Sequence, residues 1–187
     1  HPRYRKRGIF TRASKLSYEI AKTYGYELLF SFPNEISYPV FDKYLGWQTI
    51  TSINTFEYDL IKRPSKKVNY NVFQATEKFS LPDYPNAISN IHVLRDRCYF
   101  KKRYSEHWNN DKYIFIINKS GMIILKKYTD KIAHIMEIIA IGDVRNLLIS
   151  ATHYLTKSSY SLLTTFLPFF ENDLRNFGFQ EKKGSTY

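Results

Sequence analysis

The chain has 187 residues, 43% of them hydrophobic and 17% aromatic, with seven glycines, seven prolines and one cysteine. That composition excludes a disordered chain and is enough to build an apolar core. A formal charge of +11 favours anionic partners (nucleic acid, anionic lipid or a phosphate-bearing cofactor), while the lone Cys98 excludes an intrachain disulfide and fits a reducing, cytoplasmic setting.

The first stretch, "HPRYRKRGIF", gathers Arg3, Arg5, Lys6 and Arg7 around Gly8. A solvated basic arm is one reading of it. The other is a phosphate cradle, because Ile9, Ala13, Leu16 and Ile20 follow at helical spacing. A helix N-terminus offers unpaired N–H groups and a positive dipole end, and a glycine at its entrance lets backbone approach a ligand. Gly25 is the predicted stop of this helix, and "YELLFSF" reads as a strand. "SYPVFDKYLGW" predicts a short helix with Pro39 in its first turn and Gly46 at its end. One or two strands are expected in "WQTITSINTFEYDL".

Residues 62–90 carry proline-rich turns without a sustained period and read as a connection between two units. "ISNIHVLRDRCYFKKRYSEH" predicts a helix with Ile91, Leu94, Cys98 and Phe100 inward. Three strands should follow, in "KYIFIIN", in "GMIILKKY" after a turn at Lys119-Ser120-Gly121, and in "IAHIMEIIAI". Asp143 is a predicted cap for a helix "VRNLLISATHYLTK" whose apolar face is Leu147, Leu148, Ala151 and Leu155. "YSLLTTFLP" predicts a strand, "FFENDLRNFG" a short helix and "FQEKK" a last strand.

Both halves thus run helix, strand, short helix, glycine beside an aromatic, strand, with Gly46 and Gly178 in matching places. This predicts an α/β (α+β) protein of two related units, residues 1–61 and 91–187, joined by 62–90.

From "HPRYRKRGIF" through "YLGW" the chain resembles the GCN5-related N-acetyltransferase (GNAT) superfamily. That family opens a helix with Gln or Arg, two residues, Gly, one residue, Gly or Ala, and the pattern maps onto Arg3, Lys6 and Gly8. Lys6 stands where the family usually has its first glycine. "ELLFSFPN" is similar to the family's next strand and "SYPVFDKYLGW" to its following helix. The resemblance implies a mixed, mostly antiparallel sheet flanked by helices. It also implies acetyl-CoA bound by Arg3, Arg5, Lys6, Arg7, Gly8, Ile9 and Asn34, and acyl transfer to an amine by direct attack on the thioester. The expected acceptor is a primary amine on a small molecule or amino sugar. The family's general-acid tyrosine falls on Phe41 or Asp42 here, which leaves the flanking Tyr38 and Tyr44 as candidate proton donors. Strands that precede the motif in the family are absent, so residues before His1 are expected in the native protein. The second half resembles a degenerate second copy. "GDVRNLL" holds its cradle position without the pattern, Asp143 would repel phosphate, and no acyl-CoA is expected there.

Other residues carry less. Glu137, mid-strand in "HIMEIIAI", is a base candidate but is expected to face solvent or pair with a lysine, and Cys98 is expected to be a small buried hydrophobe. The five histidines show no ligand spacing, so no metal is predicted, and no run reaches membrane-spanning length. Two alternatives remain from other classes: a Fem-like tRNA-dependent aminoacyl transferase, favoured by the net basicity, and a non-catalytic binding module of the same fold, favoured by Lys6 and the displaced tyrosine.

Overall fold

The computed structural model describes residues 2–4, 6–34, 36–50, 53–62, 68–74 and 96–182. They fall into two compact units, one within His1–Ile53 and one spanning Asn54–Lys182.

The first unit is built on helix α1 (Ile9–Thr23) and the shorter α2 (Tyr38–Leu45). Both form where the apolar spacing places them. Pro39 sits in the first turn of α2, where a missing N–H costs nothing, and Gly46 ends that helix. Aromatic contacts join the two helices. The Phe10 ring meets Phe41 edge-on at 5.6 Å, Phe41 meets Trp47 at 4.9 Å, and the Trp47 Nε1–H donates to the Tyr18 hydroxyl at 2.8 Å. No residue of either helix is buried.

The expected strand "YELLFSF" does not form. Residues 27–33 form neither helix nor strand and make no backbone hydrogen bond among the described residues, and no described strand lies beside them. Tyr26, Leu28, Phe30 and Phe32 are each about two-thirds exposed. The apolar pattern is that of a strand; a ladder also needs a partner, and sequence pattern does not supply one.

The second unit is a seven-stranded sheet in the order β2-β3-β4-β5-β6-β1-β7. Its strands are β1 (Thr55–Asp59), β2 (Asn71–Gln74), β3 (Tyr113–Asn118), β4 (Gly121–Lys127), β5 (Ile132–Ala140), β6 (Leu162–Thr165) and β7 (Gln180–Lys182). Every pair is antiparallel except β5–β6. A parallel pair needs a crossover, and α4 (Val144–Lys157) provides it. The architecture is therefore mixed α+β, a mostly antiparallel sheet flanked by helices, as expected. Strand β2 lies within the stretch read as connection; its residues "NVFQ" are too few for a period to show, and pairing with β3 makes the strand.

One sheet face is covered by α4 and by α5 (Glu171–Phe177). Leu147, Leu148, Ala151 and Leu155, the predicted face of α4, are fully buried against Leu125, Ile135 and Leu163. Each large side chain buried this way contributes about 1.5–3 kcal/mol. The predicted cap forms as well, the Asp143 carboxylate accepting the Arg145 N–H at 2.9 Å. The other face packs on α3 (Arg97–Phe100) and the π-turn Lys101–Ser105 that continues it, through Phe100 and Tyr104. Phe100 points inward as predicted. Cys98 does not: it is exposed, because α3 is a single turn and turns that side of itself outward.

A β-bulge decides which side chains reach this second face. Ile124 pairs with Glu137 and Leu125 with Ile135, so Met136 is an extra residue in β5. Alternation from Ile135 would send Glu137 toward α4; the extra residue sends it to the opposite face.

His134, before the bulge on that same face, gives a pH-dependent stability. Its Nδ1 is 2.8 Å from the Thr164 hydroxyl, its ring packs on Phe166 at 4.6 Å, and its Nε2 is buried without a partner among the described residues. Burial, and then the nearby Lys126 ammonium, lower its pKa from 6.5 to about 4. The unfolded chain therefore takes up this proton first. The contribution is complete above pH 6.5 and is lost as pH falls toward 4, by about 3 kcal/mol at most. In urea denaturation, His134→Leu should lose less stability than wild type between pH 7 and pH 4. An equal loss in both proteins would assign the acid sensitivity elsewhere.

Candidate functional site

The loop before α1 follows from three backbone choices. Pro2–Tyr4 form a single 3-10 turn that carries Arg3. Lys6 and Gly8 then both take left-handed backbone angles, φ 61° and φ 66°. Glycine does this without strain, but for lysine the region costs about 1–2 kcal/mol. Among the described residues, a side chain at the Gly8 position would meet nothing within 4 Å.

Gly8 is also the N-cap, and no side chain caps this helix. The first amides of α1 therefore keep no intrahelical partner and face outward at the positive end of a 15-residue dipole. No acidic residue lies in the first turn. Arg7 lies over the Tyr4 ring at 5.8 Å, and the Arg12 guanidinium reaches back to the Arg7 carbonyl at 3.3 Å. Consecutive left- and right-handed residues make a backbone concavity suited to an anion, and the cations surround it. Arg3, Lys6, Arg7, Gly8 and the half-exposed Ile9 are thus brought together by this one loop. Arg5 lies outside the described residues.

The remaining predicted residues sit on α2 and its approach. The Asn34 side-chain oxygen accepts from the Ile36 N–H at 3.1 Å and from the Ser37 N–H at 3.0 Å, which makes the turn that starts α2. The Tyr38 hydroxyl lies 3.1 Å from the Thr49 hydroxyl. Tyr44, near the far end of α2, is 66% exposed. The Phe10–Phe41 contact ties the first turn of α1 to the middle of α2, so the loop and α2 belong to one small structure.

In the second unit a polar cluster lies where the expectation for Glu137 was solvent or a lysine partner. The structure corrects this. Glu137 is buried, and Oε1 accepts hydrogen bonds from the hydroxyls of Tyr99 and, at 3.2 Å, of Tyr104. Burial first, then the hydrogen bond and charge of Glu137, push the Tyr99 pKa up to about 12. Burial, followed by the charges of Glu137 and Tyr99, raises Tyr104 well above the ordinary phenol value. Both phenols therefore stay protonated as donors to the carboxylate. The Arg103 Nε–H donates to the Tyr104 hydroxyl at 3.2 Å. No spacing rule foretold this cluster, since it depends on the bulge at Met136 and on the turn after α3.

Among the described residues, no group of histidine, cysteine and carboxylate side chains is placed to hold a metal ion. None of their helices is long and apolar enough to cross a membrane. Compared with protein-family models and with curated proteins, the sequence matches none.

Proposed function

We propose that this chain is an acyl-CoA-dependent N-acyltransferase, with acetyl-CoA as donor and a primary amine of a small molecule or amino sugar as acceptor. One observation carries the reading: the uncapped N-terminus of α1 behind a loop in which Lys6 and Gly8 both hold left-handed angles among Arg3, Arg7 and Arg12. Lys6 supports it in particular. In the resemblance to the GNAT pattern it replaces a glycine, yet its backbone keeps the angle a glycine would take. A strained non-glycine residue at a ligand loop persists only where its surroundings demand that conformation.

In this reading the loop amides and cations hold the pyrophosphate of the donor. The neutral amine attacks the thioester carbonyl, a C–N bond forms, the C–S bond breaks, and the departing thiolate takes a proton. The products are the amide and free CoA thiol. Holding both reactants in attacking geometry is worth about 7–11 kcal/mol in favourable cases, so no catalytic triad is required. Tyr38 is the better proton donor of the two candidates, since its hydroxyl is held beside Thr49 whereas Tyr44 is free in solvent. Asp143 supports the expectation that the second unit takes no acyl-CoA, because its carboxylate already occupies the head of α4.

Calorimetric titration with acetyl-CoA tests the reading, together with thiol release against a panel of amines. Saturable binding and amine-dependent thiol release are expected; an absence of binding overturns it. Tyr38→Phe should bind acetyl-CoA normally and lower kcat about 100-fold, the usual scale for losing a positioned acid. An unchanged kcat would remove Tyr38 from the chemistry.

A further inference from the structure

We infer that the cleft over the π-turn of the second unit binds a phosphate monoester. This site is built from residues other than the loop before α1, and it does not depend on the acyl-transfer reading.

The turn itself is the first observation. Lys101–Ser105 is closed by a hydrogen bond from the Glu106 N–H to the Lys101 carbonyl at 2.7 Å, five residues apart. Such turns are rare and recur at functional sites, where they aim side chains that an α-turn would not. This one places the consecutive residues Lys102 and Arg103 on an open cleft of about 400 Å³, lined also by Tyr99, His107 and Tyr113. Small ligands occupy clefts of this size.

The second observation is electrostatic. The neighbouring carboxylates are already engaged. Asp96 caps α3 through the Tyr99 N–H, Glu106 pairs with Lys101 at 3.0 Å, and Glu137 takes the hydroxyls of Tyr99 and Tyr104. Among the described residues none is within ion-pair distance of Lys102 or Arg103. Among the described residues the cleft thus holds cations with no carboxylate in ion-pair contact; the Glu137 charge reaches Arg103 only from behind Tyr99 and Tyr104, and Lys126 over the Tyr113 ring at 5.7 Å adds to the positive field.

Geometry selects the ligand class. Arg103 is held in place, with Nε on the Tyr104 hydroxyl and its guanidinium over the Tyr99 and Tyr104 rings at 5.8 and 5.7 Å. Its terminal N–H groups form a preset fork, and little side-chain entropy remains to be lost on binding. His107 Nδ1 accepts the Asn109 N–H at 3.1 Å, which puts the proton of the neutral ring on Nε2 as a further donor. An ammonium, a guanidinium fork and an imidazole N–H suit the three oxygens of a phosphate monoester better than the two of a carboxylate.

Site-resolved NMR of the full chain tests this, with inorganic phosphate and then adenosine monophosphate as probes and sodium chloride as the ionic-strength control. Saturable amide shifts are expected at Lys102, Arg103 and His107 with both probes. In Lys102→Glu, whose side chain is exposed, affinity for both should fall about tenfold or more. Shifts at Lys6–Phe10 report the loop before α1 and should be untouched by that variant, so failure here and failure of the acyl-transfer reading are told apart. Arg103→Lys keeps the charge without the fork and should weaken binding while the spectrum stays dispersed. The inference is overturned if Lys102, Arg103 and His107 do not shift saturably, if sodium chloride reproduces the shifts, or if Lys102→Glu binds like wild type. It is also overturned if only a single-stranded oligonucleotide moves these residues, which would make the cleft part of a nucleic-acid surface.

Discussion

Acetyl-CoA should bind the wild-type chain and bind Arg7→Glu about 100-fold more weakly or not at all. Arg7 stands one residue before Gly8, at the head of α1, where a pyrophosphate held by the loop would face it. Reversal removes a charge-assisted contact and sets a carboxylate against the ligand in its place. The fold should hardly notice. Arg7 is exposed; its side chain's contact is the Tyr4 ring at 5.8 Å, and the hydrogen bond from Arg12 goes to its backbone carbonyl. A stability change within about 0.5 kcal/mol is therefore expected. Lys22→Glu, in the last turn of the same helix, alters net charge equally and should leave binding intact. If both variants bind alike, the effect is one of overall charge and the loop is no cradle.

The largest loss of stability is expected at Gly121, where β4 leaves its turn. A Cβ built there would stand 2.0 Å from the Ile139 carbonyl oxygen and 3.1 Å from the Ala140 Cα, at φ +131°. Both contacts are backbone, so no side chain can swing aside. The turn is also tied on its other flank, the Ser120 carbonyl accepting the Ile141 N–H at 2.9 Å and the Asn118 amide donating to the Ser150 hydroxyl at 2.9 Å. Gly121→Ala must part β4 from β5 at this end, at a cost of about 3 kcal/mol or more. Gly142→Ala is the matched control: its Cβ would meet Ser120 at 3.5 Å, an ordinary contact. Urea midpoints should separate the two variants clearly. Similar midpoints would mean that the β4–β5 edge yields more easily than its geometry implies.

What could be read from sequence was what repeats locally. Helix α4 shows its apolar face, its Asp143 cap and its length in plain spacing, and all three form. The strands from Tyr113 to Ala140 were legible for the same reason, as apolar runs broken by a Lys-Ser turn. Glu137 meets two tyrosines in place of solvent or a lysine because the face it takes past Met136 is itself covered by α3 and the π-turn, and that cover is not written in the spacing of β5. "YELLFSF" was misread for the opposite reason: its local signal is complete, and what it lacks is a neighbour. At Lys6 a non-glycine residue holds a left-handed backbone angle that its residue type does not foretell.

Segment 27–33, outside any helix or strand, is also where a protease would find the chain easiest to take up. A protease needs backbone groups that are not already bonded, and this segment supplies them among the described residues, with Phe30 and Phe32 exposed as cleavage residues. In α1, α2, α4 and the paired strands the same bonds lie in helix or ladder and must first open. A cut within 27–33 would part α1 and its loop from α2 and everything that follows, so shielding of these few residues decides whether the two halves of the first unit stay joined.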